Sequence, residues 1–354
     1  MLPLRLRRVA GHEGRLNDAL FQPAARPSAT SQDHHTLVYF PGDVQDYPEL
    51  MAAHRDNRNY QNWNLERTAR LLGQSFPHQH ILVVRPSRIE FKSFSCYDNF
   101  VPSNNAGVPD HTPTHQALRH LERLLQSVSA RLKQMPASEL LEAVSSASQR
   151  EEIDIEELHG SASRTGAAAA NGARGSDAGP AALKPEVEPL WWREKLFLDQ
   201  SRLTLVGFSK GCVVLNQLIY EFHYAKTLTP GDQHTMRFIG RVTCMYWLDG
   251  GHAGGKNTWL TARSLLETLA RLDVNIYIHV SPYQVKDEAR PWIGREEKAF
   301  TSLLKKLGAK VSRYLHKGVA PYSLNTHFDV IANFKRIQDA EPATPPGETD
   351  DEDT

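Results

Sequence analysis

Gly207-Phe208-Ser209-Lys210-Gly211 sets a serine between two glycines, each two residues away. A serine hydroxyl becomes a nucleophile when a neighbouring base removes its proton. The glycines suit that chemistry for a steric reason. A serine pushed out on a sharp, strained turn needs neighbours without side chains, so that the chain before it and the chain after it can approach. The base and the acid that orients it must come from further along. His327, in Asn325-Thr326-His327-Phe328-Asp329, is the expected base. Asp249, in Leu248-Asp249-Gly250-Gly251, is the expected acid, and Asp287 is the alternative. Asp249 is preferred because it stands directly at a strand end, whereas Ser281-Pro282-Tyr283-Gln284-Val285 intervenes before Asp287. The tetrahedral oxyanion formed by such a serine needs backbone donors. The N–H of Lys210 is one candidate, and Pro41-Gly42 turns the chain so that Asp43 or Val44 supplies the other.

These residues need a frame. Leu203–Val206 before the serine is an apolar, partly β-branched run that reads as a strand covered on both faces. After the turn, Val214, Leu215, Leu218, Ile219 and Phe222 recur at helical spacing. Further strands are expected at Thr36–Phe40, His80–Val84, Arg241–Leu248, Val274–Val280 and Val311–Leu315. Helices are expected between them, the longest over Thr114–Met135, with a short one at Leu190–Leu198, one over Trp259–Leu272 and a last one beginning near His327. Leu4–Val9 alternates ahead of Gly11-His12-Glu13-Gly14 and predicts an N-terminal hairpin; the arginines of Met1–Arg8 offer a transit sequence as the competing reading. Strands alternating with helices predict an α/β fold, a mostly parallel, doubly wound sheet with helices on both faces. Strand, Gly-x-Ser-x-Gly and helix together are the nucleophile elbow of an α/β-hydrolase, whose active residues follow the order serine, acid, histidine. His327 fits the last place better than His223, His234, His252, His279 or His316, because it follows the final strand.

Composition narrows the rest. Lysine plus arginine equals aspartate plus glutamate at 41 each, which gives no electrostatic case for nucleic acid. No apolar run is long enough for a transmembrane segment. The three cysteines are too few and too scattered for a disulfide framework or a zinc site, and no phosphate-binding glycine loop is present, so neither metal nor cofactor is expected. Residues 86–113 form a long stretch carrying Phe91, Phe94, Tyr97 and Phe100, expected as a lid or pocket wall. With Trp191 and Trp192 these aromatics suggest an apolar acyl pocket. Residues 137–188, rich in Ser, Ala, Gly and Glu, read as a mostly disordered insertion within a single domain spanning 1–340, and 341–354 as an acidic disordered tail.

Five stretches then share one resemblance. Tyr39-Phe40-Pro41-Gly42-Asp43-Val44-Gln45, Phe94–Val101, Gly207–Leu218, Tyr246–His252 and Pro282-Tyr283-Gln284-Val285 resemble the family of the human chromosome 2 open reading frame 69 protein, across about residues 36 to 335. The resemblance implies an α/β-hydrolase-like fold and a mitochondrial address, with a cytoplasmic one as the alternative; it implies no substrate. Two functions are carried forward. One is a serine hydrolase acting on an acyl ester, thioester or lipid-like substrate through Ser209, Asp249 and His327. The other is a non-catalytic protein of the same fold that binds a protein partner or a metabolite.

Overall fold

The computed structural model describes residues 3–27, 34–143, 188–317 and 322–340. Most of the expected insertion and the whole acidic tail lie outside these residues. Among the described residues, 3–131 and 197–340 make one compact unit, and 132–143 with 188–196 make a second.

The larger unit is built on one eight-stranded sheet. In chain order its strands are β1 Leu4–Ala10, β2 Leu16–Gln22, β3 His35–Phe40, β4 Gln79–Val84, β7 Arg202–Phe208, β8 Val242–Leu248, β9 Asn275–Val280 and β10 Val311–Leu315. They lie in the order β1-β2-β4-β3-β7-β8-β9-β10. All neighbours from β4 to β10 pair in parallel, while β2 pairs antiparallel with both β1 and β4. Residues 4–10 therefore enter the sheet as the first arm of the expected hairpin, turning over His12–Gly14. β7 is central, flanked by β3 and β8, and is buried from Leu203 to Phe208. Burial on both faces is why this strand is almost continuously apolar, whereas one wet face would impose alternation.

The helices are α1 Pro48–Ala52, α2 Leu65–Ser75, α3 Ala117–Gln134, α4 Cys212–Leu228, α5 Gln233–Ile239, α6 Arg263–Ala270, α7 Pro282–Val285, α8 Trp292–Lys306 and α9 Leu324–Ala340. On one face Tyr39, Val206, Phe208, Tyr246 and Leu248 form a core with Leu65, Ala69 and Leu72 of α2 and Phe328, Ile331 and Phe334 of α9. The period of two in the strand residues aims alternate side chains at that core. Trp247, between Tyr246 and Leu248 in sequence, points to the opposite face, where its indole N–H donates to Asn216 of α4 at 3.1 Å. The larger unit is thus an α/β-hydrolase-like fold, a mostly parallel sheet covered on both faces.

Three expectations change. The 86–113 stretch contains a β-hairpin, β5 Arg88–Glu90 with β6 Phe94–Cys96, whose turn carries Phe91 (φ 49) and Lys92 (φ 56) in the left-handed region. Three residues, Phe91 to Ser93, connect the strands, and consecutive left-handed positions in a hairpin turn normally take Asn-Gly, so Phe-Lys conceals it from pattern reading. Residues 190–198 form turns instead of the short helix; a run that short gains too few internal hydrogen bonds to offset nucleation. In the smaller unit the Arg193 guanidinium donates to the carbonyls of Lys133 and Met135. The α6 helix is also shorter than its pattern, because Trp259 and Leu260 are buried in the loop that precedes it.

Candidate active site

Ser209 stands at the carboxyl end of β7 with φ 51, followed at once by a 3₁₀ turn, Ser209–Gly211, that feeds α4. Holding a residue other than glycine in that region costs about 1–3 kcal/mol and persists where the surroundings overdetermine it. Here they do. A Cβ on Gly211 would lie 1.9 Å from the Phe40 carbonyl oxygen, and one on Gly207 would lie 2.9 Å from the Cys212 backbone. Both glycines are therefore required by the approach of β3, β7 and α4, as the sequence spacing predicts.

His327 occupies the first turn of α9, its N–H bonded to the Ser323 carbonyl at 3.1 Å. Its Nδ1 lies 2.7 Å from Oδ2 of Asp249. Asp249 follows β8 with φ 49 and is fully buried. Its Oδ1 accepts from the Ser281 N–H at 2.7 Å and its Oδ2 from the Ser281 hydroxyl at 2.5 Å. A buried carboxylate is tolerated when its lone pairs are met by donors, and these three supply that. Because the carboxylate only accepts, Nδ1 carries a proton, and in the neutral imidazole this leaves the lone pair on Nε2. The ring is gripped by Phe208, at 4.4 Å between centroids, and Tyr283, at 5.2 Å.

Ser209 and His327 line the same cavity, about 200 Å³ in volume. Asp287 is occupied elsewhere: its carboxylate takes the Arg290 Nε–H at 2.7 Å and the Ala289 N–H at 2.9 Å. Desolvation pushes this carboxyl up, but the Arg290 bond and the Ala289 amide outweigh it and hold its pKa below the usual value. The His327 partner is Asp249, not the alternative acid.

The loop after β3 is pinned from every side. Tyr97 donates its hydroxyl to the Pro41 carbonyl at 2.5 Å, and the Ser95 hydroxyl donates to the Gly42 carbonyl at 2.9 Å. The Gly42 N–H is held by Gln45 Oε1 at 3.0 Å. Val44, expected as a possible oxyanion donor, gives its N–H to the Ser93 carbonyl at 2.8 Å, so its single proton is committed. The Asp43 N–H bonds to nothing among the described residues, which leaves it and the Lys210 N–H as the candidate pair. A loop held this firmly presents its donor without reorganisation, the arrangement that stabilises developing charge most effectively.

Several contributors were not visible in the spacing. Ser281 orients Asp249. The hairpin β5–β6 supplies supports for the β3 loop more than a lid, and Phe94 lines the cavity. Lys210 buries its side chain almost wholly, donating from Nζ to the Ala106 carbonyl at 2.6 Å and lying 3.5 Å from Asp43 Oδ2. Desolvation raises the Asp43 carboxyl despite Lys210 and a bond from the Ser95 N–H. His252 is a satisfied loop residue, accepting from the Gly254 N–H at 3.0 Å and lying 3.3 Å from the Asn257 carbonyl. Among the described residues no three His, Cys, Asp or Glu side chains cluster as a metal site would need, and no helix is long and apolar enough to cross a membrane.

Several known proteins are similar to this chain. A mouse protein named mitochondrial protein C2orf69 homolog is 37% identical over 322 residues, 91% of this chain and 84% of its own. Human mitochondrial protein C2orf69 is 37% identical over 327 residues, covering 92% of this chain and 81% of its own. Among solved structures, a putative carboxylesterase from Lactobacillus plantarum aligns over 89% of this chain and 88% of its own, at 10% identity and a TM-score of 0.43. Esterase Est22 aligns over 96% of this chain and 78% of its own, at 10% identity and a TM-score of 0.42. The family described as C2orf69 matches residues 5–310, and with relatives at this identity over most of its length the chain belongs to the C2orf69 family.

Proposed function

We propose that this protein is a serine hydrolase that cleaves a small acyl ester or thioester. The observation that carries the reading is the His327–Asp249 hydrogen bond, with His327 and Ser209 lining one cavity. In this mechanism Nε2 of His327 takes the Ser209 proton as Oγ attacks the acyl carbonyl. The oxyanion is met by the N–H groups of Lys210 and Asp43. His327 then protonates the leaving group, water enters, and the same imidazole activates it to release the acyl group. Asp249 keeps the imidazole in the tautomer that can accept at Nε2 and stabilises the imidazolium once formed. The relatives named as mitochondrial proteins support a mitochondrial location.

A fluorophosphonate probe reacts only with serines that are both activated and reachable, so it needs no knowledge of the substrate. Covalent labelling is expected at Ser209, absent in Ser209→Ala and reduced in His327→Ala by at least about four powers of ten. A folded wild-type protein left unlabelled by the smallest probe on prolonged incubation would favour a binding role for the cavity.

A further inference from the structure

Two polar side chains in the cavity have work that the mechanism above does not give them. Gln284, on α7, is 3% exposed, yet its Oε1 is buried without a hydrogen-bond partner and its Nε2 donates to nothing among the described residues. Leaving such a group unmet is destabilising, so a buried amide without a partner points to a ligand that meets it. Its position is not accidental. A Cβ on Gly251 would fall 2.3 Å from Gln284 Nε2, so the amide lies flat against a glycine backbone. That glycine in turn directs its own N–H at the Ser209 carbonyl, at 3.4 Å. The orphan amide therefore sits beside the elbow.

Arg290 lines the same cavity. Asp287 holds its Nε at 2.7 Å, which fixes the plane of the guanidinium and leaves Nη1 and Nη2 hydrogen-bonded to nothing among the described residues. A planar fork with a free edge matches the two oxygens of a carboxylate or phosphate. The carboxylate that lines the cavity, Asp43, faces Lys210 and so opposes an incoming anion weakly. At about 200 Å³ the space is smaller than typical ligand pockets of roughly 300–1,000 Å³. Taking Ser209 as the nucleophile, as proposed above, we infer that Arg290 and Gln284 form a subsite that selects small acyl esters carrying an anionic group, carboxylate or phosphate, at the end of a short acyl chain. Gln284 Nε2 donates to the same anion, and Oε1 accepts from a hydroxyl or N–H of the substrate.

The test compares 4-nitrophenyl hydrogen adipate with 4-nitrophenyl hexanoate, which differ by a carboxylate in place of the terminal methyl. Each kcat/KM is corrected for the ester's own rate in buffer. The wild-type protein should prefer the adipate ester by roughly tenfold or more, the scale of a hydrogen bond to a charged group. Arg290→Gln and Gln284→Glu should each lower the adipate-to-hexanoate ratio by roughly that factor, and Arg290→Lys should fall between, since it keeps charge without the fork. Melting curves confirm that each variant is folded. Competition by glutarate at lower concentration than inorganic phosphate assigns a carboxylate, and the reverse order a phosphate. If both esters are hydrolysed with no preference and no variant changes the ratio, the subsite is refuted while the hydrolase reading stands. If neither ester is hydrolysed and Ser209 takes no fluorophosphonate, both fall together.

Discussion

Replacing Asp249 by Asn exchanges one carboxylate oxygen for an amide NH2 and leaves the volume nearly unchanged. In the native site that carboxylate accepts from Ser281 twice and lies 2.7 Å from His327 Nδ1. An asparagine can keep its oxygen on the Ser281 N–H, but it then turns NH2 toward His327. Nδ1 must become an acceptor, the ring proton moves to Nε2, and the base facing the cavity is lost. Such a tautomer reversal lowers turnover by about 10⁴ in a serine–histidine–aspartate site. The accompanying loss of charge-assisted bonding costs about 1–3 kcal/mol. At roughly 2–4 °C per kcal/mol the protein stays folded at 25 °C. The assay is the second-order rate of fluorophosphonate labelling, which depends on the base and not on substrate recognition. Asp249→Asn should slow it by about three to four powers of ten. Asp287→Asn disturbs only a partly exposed pair with Arg290, of the kind measured at about 0–1 kcal/mol, and should slow labelling by less than about tenfold. Equal losses in the two variants, or Asp249→Asn labelling within tenfold of wild type, would show that Asp249 does not orient the base.

Burial lowers the pKa of His80, His111, His252 and His316 to about 4 and that of His120 to about 3, against an ordinary value of 6.5. Below about pH 6.5 the unfolded chain binds protons that these folded histidines refuse, so stability is lost as pH falls toward 4; a urea midpoint that stays flat from pH 7 to 5 contradicts this. The hairpin turn at Phe91 and Lys92 holds two ordinary residues at positive φ, and replacing the pair by Asn-Gly should raise stability by about 1 kcal/mol, read as a higher melting temperature; a lower one means that the exposed Phe91 ring packs better than its exposure suggests.

What the sequence disclosed and what it withheld divide along a physical line. The parallel strands were legible because burial on both faces forces unbroken apolar runs, and the elbow because two glycines two residues either side of a serine have a steric cause, seen in the 1.9 Å approach to the Phe40 carbonyl. The place of His327 after the last strand was legible, and there the structure sets it against Asp249. Asp249 could be preferred but not separated from Asp287, since both are aspartates near strand ends. The difference lies in three-dimensional partners: Ser281 and His327 converge on one, and Arg290 claims the other. Val44 failed for the same kind of reason. Nothing in Pro41-Gly42-Asp43-Val44 reveals that the hairpin fifty residues on will place the Ser93 carbonyl against its N–H. Spacing reports which groups a turn can expose; which of them remain unspent depends on long-range hydrogen bonds that leave no periodic trace. Gln284 and Arg290 illustrate this from the other side. Each looks like an ordinary polar residue in a loop-rich stretch, and each gains its meaning from hydrogen bonds it does not make.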